Sequence, residues 1–526
     1  MLAWRRGLET RLGNGYRMPS TPDQSTDQSP DHAPTFPFDN SYARLPDRFF
    51  TRTRPTAVAA PRLIQLNENL ARELRLDPVS LTSLAGIAIL AGNTVAPGSE
   101  PIATAYAGHQ FGGFNPSLGD GRAILLGEVV DACGIRRDIQ LKGSGPTHYS
   151  RRGDGRAALG PVLREYILSE AFASLGVPST RALAAVSTGE VILRERALPG
   201  AVLTRIAQSH IRVGTFQYFA ARSDVDAVRA LADHVIARHY IEAAAAPNPY
   251  LAMFDAVVAR QATLIARWMN IGFIHGVMNT DNMAICGETI DFGPCAFVDH
   301  YEPDKVFSSI DERGRYALSN QPAIGLWNLS RLAEALLPLL ADDKGEAINS
   351  AEASLGAYVR RYEEAYLAGL RQKLGFVEPH ADDLALAQDL LDAMAAAGAD
   401  FTQTFRRLTE LATDTSASEK LDDLRKLFAD TTAIDLWIAR WLARIAVEAS
   451  TPAARAAIMR RANPVFIPRN HLVAEAIAEA VENDDFGAFE RLLRVLSRPY
   501  DDQPEFARYA LPPKPEEVVR ATFCGT

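Results

Sequence analysis

The spacing of hydrophobic positions divides this chain into a mixed first part and a largely helical second part. The runs AILLGEVV (123–130) and RRDIQLKG (136–143) are rich in apolar residues and are joined by a turn containing Gly134, which predicts a β-hairpin. VLREYILSEAFASLGV follows a Gly-Pro pair at 160–161 and has apolar residues at helical spacing, which predicts a helix. Beyond Val213 the periodic segments are mostly helical.

These patterns predict an α+β protein with three parts. Residues 1–37 end in a stretch rich in Ser, Thr, Asp, Gln and Pro, so we expect a disordered tail. Residues 38–205 should form a β-containing first lobe, which includes helices predicted at 67–77 and 80–92. Residues 206–526 should form an enlarged helical lobe. A bilobal plan of this kind makes the cleft between the lobes the expected ligand site.

Composition excludes several classes of protein. The 526 residues carry a net charge of −9, and the chain has no block of consecutive basic residues, so nucleic acid is not an expected partner. It has no apolar run long enough for a membrane span and no apolar stretch typical of a signal peptide. We therefore expect a cytoplasmic protein without a membrane partner. The arginines near the start give a weaker indication of organellar targeting, and Met18 is an alternative start.

Four cysteines are too few for a disulfide scaffold in a chain of this length. Reducing conditions are therefore expected. A zinc site from His275, Cys286, Cys295 and His300 is conceivable, but these residues lack the C-x-x-C spacing that is typical of such sites, so we do not favour it.

The segment FIHGVMNTDNMAICGETIDFG resembles the metal-binding end of a protein kinase. Kinases carry H-R-D-x-x-x-x-N and then D-F-G, in which the first Asp accepts the substrate proton and the Asn and second Asp hold magnesium. Here Asn282 and Asp291 stand at the two metal positions, whereas Val277 stands where the base would be. The pattern predicts a Mg²⁺ or Mn²⁺ site shared with nucleotide phosphates, without the usual kinase base.

Asp281 is the best replacement for that base. It directly precedes Asn282, so its carboxylate should lie near the metal and could accept a proton from an incoming hydroxyl. A role for Asp281 as a helix cap or in an Asx turn is the alternative.

A second group of residues fits the phosphate-binding part of a kinase. Gly119 and Gly121 precede the first strand of the predicted hairpin, where they would let backbone N–H groups approach a polyphosphate, and Arg122 would add a charged donor. Lys142 ends the second strand as a candidate phosphate clamp, and Glu165 on the following helix is its candidate partner. Turn glycines and a solvated Lys and Glu are the alternatives.

Two arginines lie farther along the chain. Arg205 and Arg212 are seven residues apart, equal to two helical turns, so on a helix they could present one positive face to a phosphate tail. Solvated surface arginines are the alternative.

Several long motifs, in order, carry a family resemblance. LGDGRAILLGE, IQLKGSGPTHYSRRGDGRAALGPVLREYILSEA, LTRIAQSHIRVGTFQYF, GVMNTDNM, DFGPCAFVD and NPVFIPRNHLV are similar to the selenoprotein O (SelO, or YdiU) family of kinase-fold protein adenylyltransferases. The resemblance covers the chain from about Phe38 to its end. It implies a bilobal kinase-like fold and an ATP that binds in a flipped orientation, so that AMP passes to Ser, Thr or Tyr hydroxyls of proteins and pyrophosphate is released.

The resemblance also assigns residues. It implies that Asp281 is the proton acceptor, that Asn282 and Asp291 bind the metal, and that Glu165 orients the lysine. The nucleotide contacts would be Gly119, Gly121, Arg122, Lys142, Asp154, Gly155, Arg205, Arg212 and Asp291.

Members of the family tend to carry a reactive Cys or selenocysteine near the C-terminus. This chain ends TFCGT, with Cys524 alone. We hypothesise that Cys524 pairs with Cys295, which follows D-F-G-P, and so restrains this segment on oxidation. A buried, inert Cys295 and a free Cys524 are the alternative.

Three other functions stay open at this point. They are γ-phosphoryl transfer by an atypical kinase, UMP transfer from UTP with manganese, and nucleotide sensing without catalysis.

Overall fold

The computed structural model describes residues 34–523, which fold into a sheet-containing first part and a helical second part. The strands of the described chain are β1 Phe50–Arg52, β2 Arg62–Leu66, β3 Ile102–Thr104, β4 Gly108–Gln110, β5 Gly113–Asn115, β6 Ala123–Val130, β7 Arg136–Lys142, β8 Ala157–Ala158, β9 Arg181–Leu193, β10 Ala197–Ala207, β11 Phe273–Ile274 and β12 Ala296–Phe297.

The helices gather mainly in the second part. They are α1 Glu68–Glu73, α2 Pro78–Thr82, α3 Leu84–Leu90, α4 Leu159–Ser174, α5 Val213–Ala220, α6 Val225–His239, α7 Pro249–Asn270, α8 Gln321–Leu340, α9 Lys344–Leu374, α10 Asp383–Ala397, α11 Phe401–Leu411, α12 Ser418–Arg425, α13 Thr432–Ala446, α14 Pro452–Ala462, α15 Asn470–Asn483 and α16 Gly487–Leu496. None of the helices described is long and apolar enough to cross a membrane.

The main sheet has the order β1-β3-β6-β7-β10-β9-β2, and β8 pairs with β10. All of its pairings are antiparallel. The β6–β7 hairpin predicted from the sequence is confirmed, and its register sets Ala123 opposite Lys142. The lysine therefore lies at the same end of the hairpin as the glycine-rich residues that precede β6.

The long hairpin of β9 and β10 was not predicted. Segment RALAAVS in β9 is buried at nearly every position, because α4 packs on one side of the sheet and α3 also contacts β9. A strand covered on both faces shows a continuous apolar run rather than alternation, and such a run resembles a buried helix.

Two expectations on local structure need correction. The helix expected at 80–92 is two helices, α2 and α3, separated at Ser83, whose hydroxyl accepts the Gly86 N–H and so caps α3. The boundary expected between the first lobe and the helical lobe, after residue 205, falls inside β10, because this strand of the main sheet continues to Ala207.

Packed residues also begin earlier than expected. Phe36 was placed in the tail, but it is buried and its ring stacks on that of Phe38 at 5.3 Å. Residues 1–33 lie outside the described range.

Helix α4 joins the sheet to the helices. It contacts β9 and β10 on one side and α15 and α16 on the other, which explains why it is apolar around most of its circumference. Glu165 is therefore buried within the fold. A carboxylate in such a position needs a cationic partner.

Candidate functional site

A cavity of about 490 Å³ lies between the sheet and the loop that follows β11. Its size is within the range that binds small molecules and cofactors. It brings together every predicted site residue apart from the cysteines, namely Gly119, Gly121, Arg122, Lys142, Asp154, Gly155, Glu165, Arg205, Arg212, Asp281, Asn282 and Asp291.

Lys142 and Glu165 form an ion pair across the cavity wall. The Lys142 Nζ atom lies 2.6 Å from Glu165 Oε2 and 3.1 Å from Asp291 Oδ1. The strand β7 supplies the lysine and α4 supplies the glutamate, as the sequence predicted. The alternative of a solvated pair does not hold, since both side chains are largely removed from water.

Asp291 is the centre of a buried cluster of charges. Besides Lys142, it contacts Arg205 at 2.7 Å and Arg212 at 2.9 Å. Burial alone would raise the pKa of Asp291, but the positive charges of the three side chains outweigh burial and hold that pKa well below its usual range. The carboxylate therefore remains ionised and ready to act as an oxygen ligand.

The two arginines converge for a reason that the sequence did not indicate. They are not on one helix: Arg205 is in strand β10, and Arg212 is the N-cap residue of α5. The prediction of a helical face was therefore wrong. They meet because the chain turns from the end of β10 into α5 beside Asp291. Neither is a solvated surface residue, because both are buried.

Asp281 lies in a 3₁₀ turn, Thr280–Asn282, at the cavity wall. Its Oδ2 atom accepts a hydrogen bond from Gln110 at 3.2 Å. Burial raises the pKa of Asp281 to about 6, and the nearby Arg212 opposes this shift. Asn279, not Asp281, takes the N-cap position of this turn, so the capping role considered above is not observed.

The residues at this wall fit a magnesium-like ion. Asp281 Oδ1 is a buried oxygen without a hydrogen-bond partner in the described structure. The Asn282 side-chain amide donates its N–H to the Val277 carbonyl, so its amide oxygen can act as a metal ligand. Magnesium is commonly held by one or two carboxylates together with substrate phosphates. Within residues 34–523, no cluster of His, Cys, Asp and Glu could hold a metal through protein ligands alone, which also disfavours the zinc site.

The glycines before β6 have a structural role of their own. Gly119 has a φ of +66°, a conformation that favours glycine, and a Cβ atom there would lie 2.2 Å from the ring of Tyr149. A Cβ atom at Gly121 would lie 3.0 Å from the Tyr149 carbonyl oxygen. The loop around Tyr149 therefore packs directly on this turn and holds it at the cavity wall.

Asp154 and Gly155 also line the cavity. The Asp154 carboxylate pairs with Arg194 at 2.8 Å, and Arg194 lies in the turn between β9 and β10. The Asp154 loop is thus tied to a long hairpin of the main sheet.

Comparisons with known proteins identify the family of this chain. The family described as "Protein adenylyltransferase SelO" matches residues 33–497. The chain belongs to the SelO family.

Similar proteins in that family are bacterial. A "Protein nucleotidyltransferase YdiU" of Bradyrhizobium sp. (strain BTAi1) is 64% identical over 491 residues, which cover 93% of this chain and 99% of the relative. Proteins of the same name from Nitrobacter winogradskyi and Rhizobium etli are 61% and 62% identical, with 94% and 93% of this chain covered and 97% of each relative. The resemblance drawn from the motifs is confirmed. As a SelO-family member, the chain is a nucleotidyltransferase, which requires a nucleotide co-substrate.

Sequence reasoning missed several cavity residues of this SelO-family chain. Gln110 contacts Asp281, Asp120 accepts from the Thr104 backbone and hydroxyl, and Tyr149 packs on the glycine turn. The only sequence signal for Gln110 and Asp120 was the crowding of Gly and aromatic residues in YAGHQFGGFNPSLGDG, which indicates turns but not their contacts. Tyr149 lies outside this stretch, in GSGPTHYSRRGDG.

The cysteine pair of this SelO-family chain stays a prediction. Cys295 is buried, and its thiol donates to the Phe292 carbonyl at 3.3 Å. Cys524 lies outside the described residues. The end of the described chain does reach this region, because the Thr522 hydroxyl donates to the carbonyl of Pro294.

Proposed function

We propose that this chain is a protein adenylyltransferase, which transfers AMP from ATP to Ser, Thr or Tyr hydroxyls of proteins and releases pyrophosphate. The observation that carries the proposal is the position of Asp281. Its carboxylate lines the same cavity as Asn282 and Asp291, while Val277 occupies the position of a kinase base. Family membership supports the same reaction class.

The proposal includes a bilobal kinase-like arrangement. Its support is the antiparallel sheet on one side of the cavity, the helices on the other, and the ion pair between the lysine of β7 and the glutamate of α4. The nucleotide would lie between these two parts. Arg205 and Arg212 bring two buried positive charges to the cavity beside Asp291, where they would bind phosphate oxygens of the nucleotide. The proposal includes a flipped ATP, with its α-phosphate next to the acceptor hydroxyl, and membership of the SelO family supports this orientation.

The proposed reaction breaks one bond and forms another. The acceptor oxygen attacks the α-phosphorus of ATP and forms the new P–O bond. The bond from that phosphorus to the oxygen bridging to the β-phosphate breaks, and its electron pair leaves with pyrophosphate. Asp281 accepts the proton of the hydroxyl, and Lys142 stabilises negative charge on the phosphates.

Asn282 and Asp291 would hold a Mg²⁺ or Mn²⁺ ion with the phosphates. Such an ion would add positive charge next to the phosphate oxygens. Lys142, Arg205 and Arg212 keep the Asp291 carboxylate ionised for this role, and Gln110 orients Asp281 beside it.

The test is label transfer from ATP carrying the label on either the α- or the γ-phosphate. The full chain is incubated with a cell extract and magnesium or manganese, and the variants are Asp281→Asn and Asp291→Ala. Asp484→Asn is the matched control, because this exposed carboxylate pairs only with the exposed Arg62 in the described structure.

We expect α-label on protein with the wild type and with Asp484→Asn, and a loss of at least about 100-fold in the two site variants. Protein-bound γ-label would instead establish a kinase. Label transfer in the presence of manganese from UTP that carries the label on its α-phosphate, but not from ATP, would show that the transferred group is UMP and not AMP. Nucleotide binding without transfer of any label would leave a sensor.

A further inference from the structure

The hairpin of β4 and β5 is fastened to the turn that carries Asp281. It forms a small sheet separate from the main one. The backbone N–H of His109 donates to the Thr280 hydroxyl at 2.7 Å, and that of Phe111 donates to Asn279 Oδ1 at 3.1 Å. The hairpin therefore packs on the turn that carries the proposed base, and its residues Gln110 and Phe111 line the cavity.

The tip of this hairpin is strained. Phe111 has a φ of +51° and is followed by Gly112 with a φ of +87°. A side chain such as Phe rarely adopts this conformation, and its occurrence often marks a functional position. The Phe111 ring lies 5.1 Å from that of Tyr316, which holds the tip against the helical part.

The outer side of the hairpin continues into an aromatic and cationic surface, here called the Trp327 ledge. The His109 ring meets the Trp327 ring edge-on at 5.2 Å and the Phe114 ring at 4.8 Å. The guanidinium groups of Arg315 and Arg331 lie over the Trp327 ring at 4.7 and 5.1 Å. The ledge consists of His109, Phe114, Arg315, Trp327 and Arg331.

The two arginines of the ledge differ in their partners. Arg331 pairs with Glu334 at 2.7 Å. Asp311 accepts a hydrogen bond from the Arg315 backbone N–H, but no carboxylate of the described residues lies within ion-pair distance of the Arg315 guanidinium. A guanidinium stacked on an indole still presents N–H donors in its plane, which match a carboxylate. In a chain with a net charge of −9, Arg315 is thus a local site for a negative group.

We propose that the Trp327 ledge binds the protein substrate of the transfer reaction, with Arg315 taking a Glu or Asp side chain close to the hydroxyl that is modified. This inference rests on the proposed function, because it assigns the partner of the same site. The exposed aromatic ring of Phe114 would contact the backbone or an apolar side chain of the bound segment.

The position of the acidic residue follows from the hairpin. Gln110 contacts Asp281, and two residues later Gly112 lies beside Arg315, since a Cβ atom at Gly112 would be 3.7 Å from the Arg315 Cζ atom. Two residues of chain span at most about 7 Å, so with the 3.7 Å contact at Gly112 the distance from Gln110 to the Arg315 guanidinium is at most roughly 10 Å. An extended peptide rises about 3.3 Å per residue, so the acidic residue should be about three residues from the modified hydroxyl.

The test measures peptide binding apart from chemistry. Short fluorescent peptides carry one Ser, Thr or Tyr in a neutral background, with a single Glu placed at successive distances on either side. Fluorescence anisotropy is recorded with the full chain, magnesium and an ATP analogue that cannot be cleaved. The variants are Arg315→Gln and Arg315→Glu, and the matched control is Arg229→Gln, an exposed arginine that lies over Tyr250 at 5.5 Å and does not line the cavity.

We expect the wild type and Arg229→Gln to bind the peptide with Glu about three residues from the hydroxyl about fivefold more tightly than the neutral peptide. Arg315→Gln should lose this preference, and Arg315→Glu should prefer a peptide with Lys at that position. No preference in the wild type, or a preference that survives in Arg315→Gln, would overturn the proposal. If the protein prefers the Glu peptide through Arg315 but transfers no AMP, the result would support peptide binding at the Trp327 ledge and refute the proposed function.

Discussion

The guanidinium of Arg205 lies 2.7 Å from Oδ1 of Asp291, and only 1% of Arg205 is exposed to water. The same guanidinium contacts Glu165 at 2.6 Å. Two carboxylates of the cavity therefore share one buried arginine, so its removal should affect both the stability of the fold and the charges of the site.

This contact predicts a large effect of Arg205→Ala. Removal of one partner from a buried ion pair costs about 3 to 5 kcal/mol when the other charge is left unpaired. Lys142 would still pair with Glu165 and Asp291, so we expect the lower end of this range, about 3 kcal/mol. We expect the free energy of unfolding to fall by that amount in urea denaturation. Arg62→Ala is the control, because its pair with Asp484 is exposed, and it should change stability by less than about 1 kcal/mol. Equal effects of the two substitutions would contradict the account.

The contact between Gly108 and Asp281 predicts a defect in chemistry without one in nucleotide binding. A Cβ atom at Gly108 would lie 2.3 Å from Asp281 Oδ1, so Gly108→Ala must displace the carboxylate. We expect the rate of label transfer to fall by about 100-fold, while calorimetry shows nearly unchanged affinity for ATP.

Gly113→Ala on the same hairpin is the control for that experiment. Its Cβ atom would meet its nearest neighbour at 3.5 Å, which is an ordinary contact, so activity should be retained. A fully active Gly108→Ala variant would show that the observed position of Asp281 is not needed for transfer.

Lys373 predicts a pH-dependent stability far from the proposed chemistry. Burial lowers the pKa of this lysine from 10.5 to about 7, and its Nζ atom lies 4.0 Å from the centre of the Phe405 ring. Between these pH values the unfolded chain binds more protons than the folded one, so folding stability rises with pH. The cost of burying Lys373 is largest below pH 7 and is absent above about pH 10.5.

Lys373→Met should therefore stabilise the protein near neutral pH. We expect a gain of roughly 2 to 4 kcal/mol in the free energy of unfolding near pH 7, since the lost contact between the cation and the ring offsets part of the gain. The gain should shrink near pH 10. Lys344→Met, at the exposed start of the same helix, should show neither the gain nor its pH dependence. A gain of the same size at both pH values would refute this explanation.

The sequence predicted those parts of the site that are tied to local patterns. Lys142 ends a recognisable strand and Glu165 lies on a well-marked helix, so their pairing followed from the order of the elements. The proposed metal-binding positions, Asn282 and Asp291, followed from a motif within a single stretch of chain, and both line the cavity.

Contacts between distant segments could not be predicted in the same way. His109 and Thr280 are separated by 171 positions, and no local pattern indicates that the hairpin lies on the Asp281 turn. The convergence of Arg205 and Arg212 was expected for the wrong reason, because spacing along a helix was inferred for residues in a strand and at a helix cap. Packing of the sheet against the helical part determines both arrangements.

In the proposed reaction, the bond of ATP that breaks joins the α-phosphorus to the oxygen bridging to the β-phosphate. The most direct measurement is mass spectrometry of the adduct formed on Ser, Thr or Tyr when the full chain is incubated with a cell extract, ATP and magnesium or manganese. We expect an added AMP group, which is absent with Asp281→Asn, and pyrophosphate in solution. An added phosphate group, with ADP in solution, would contradict the proposed reaction.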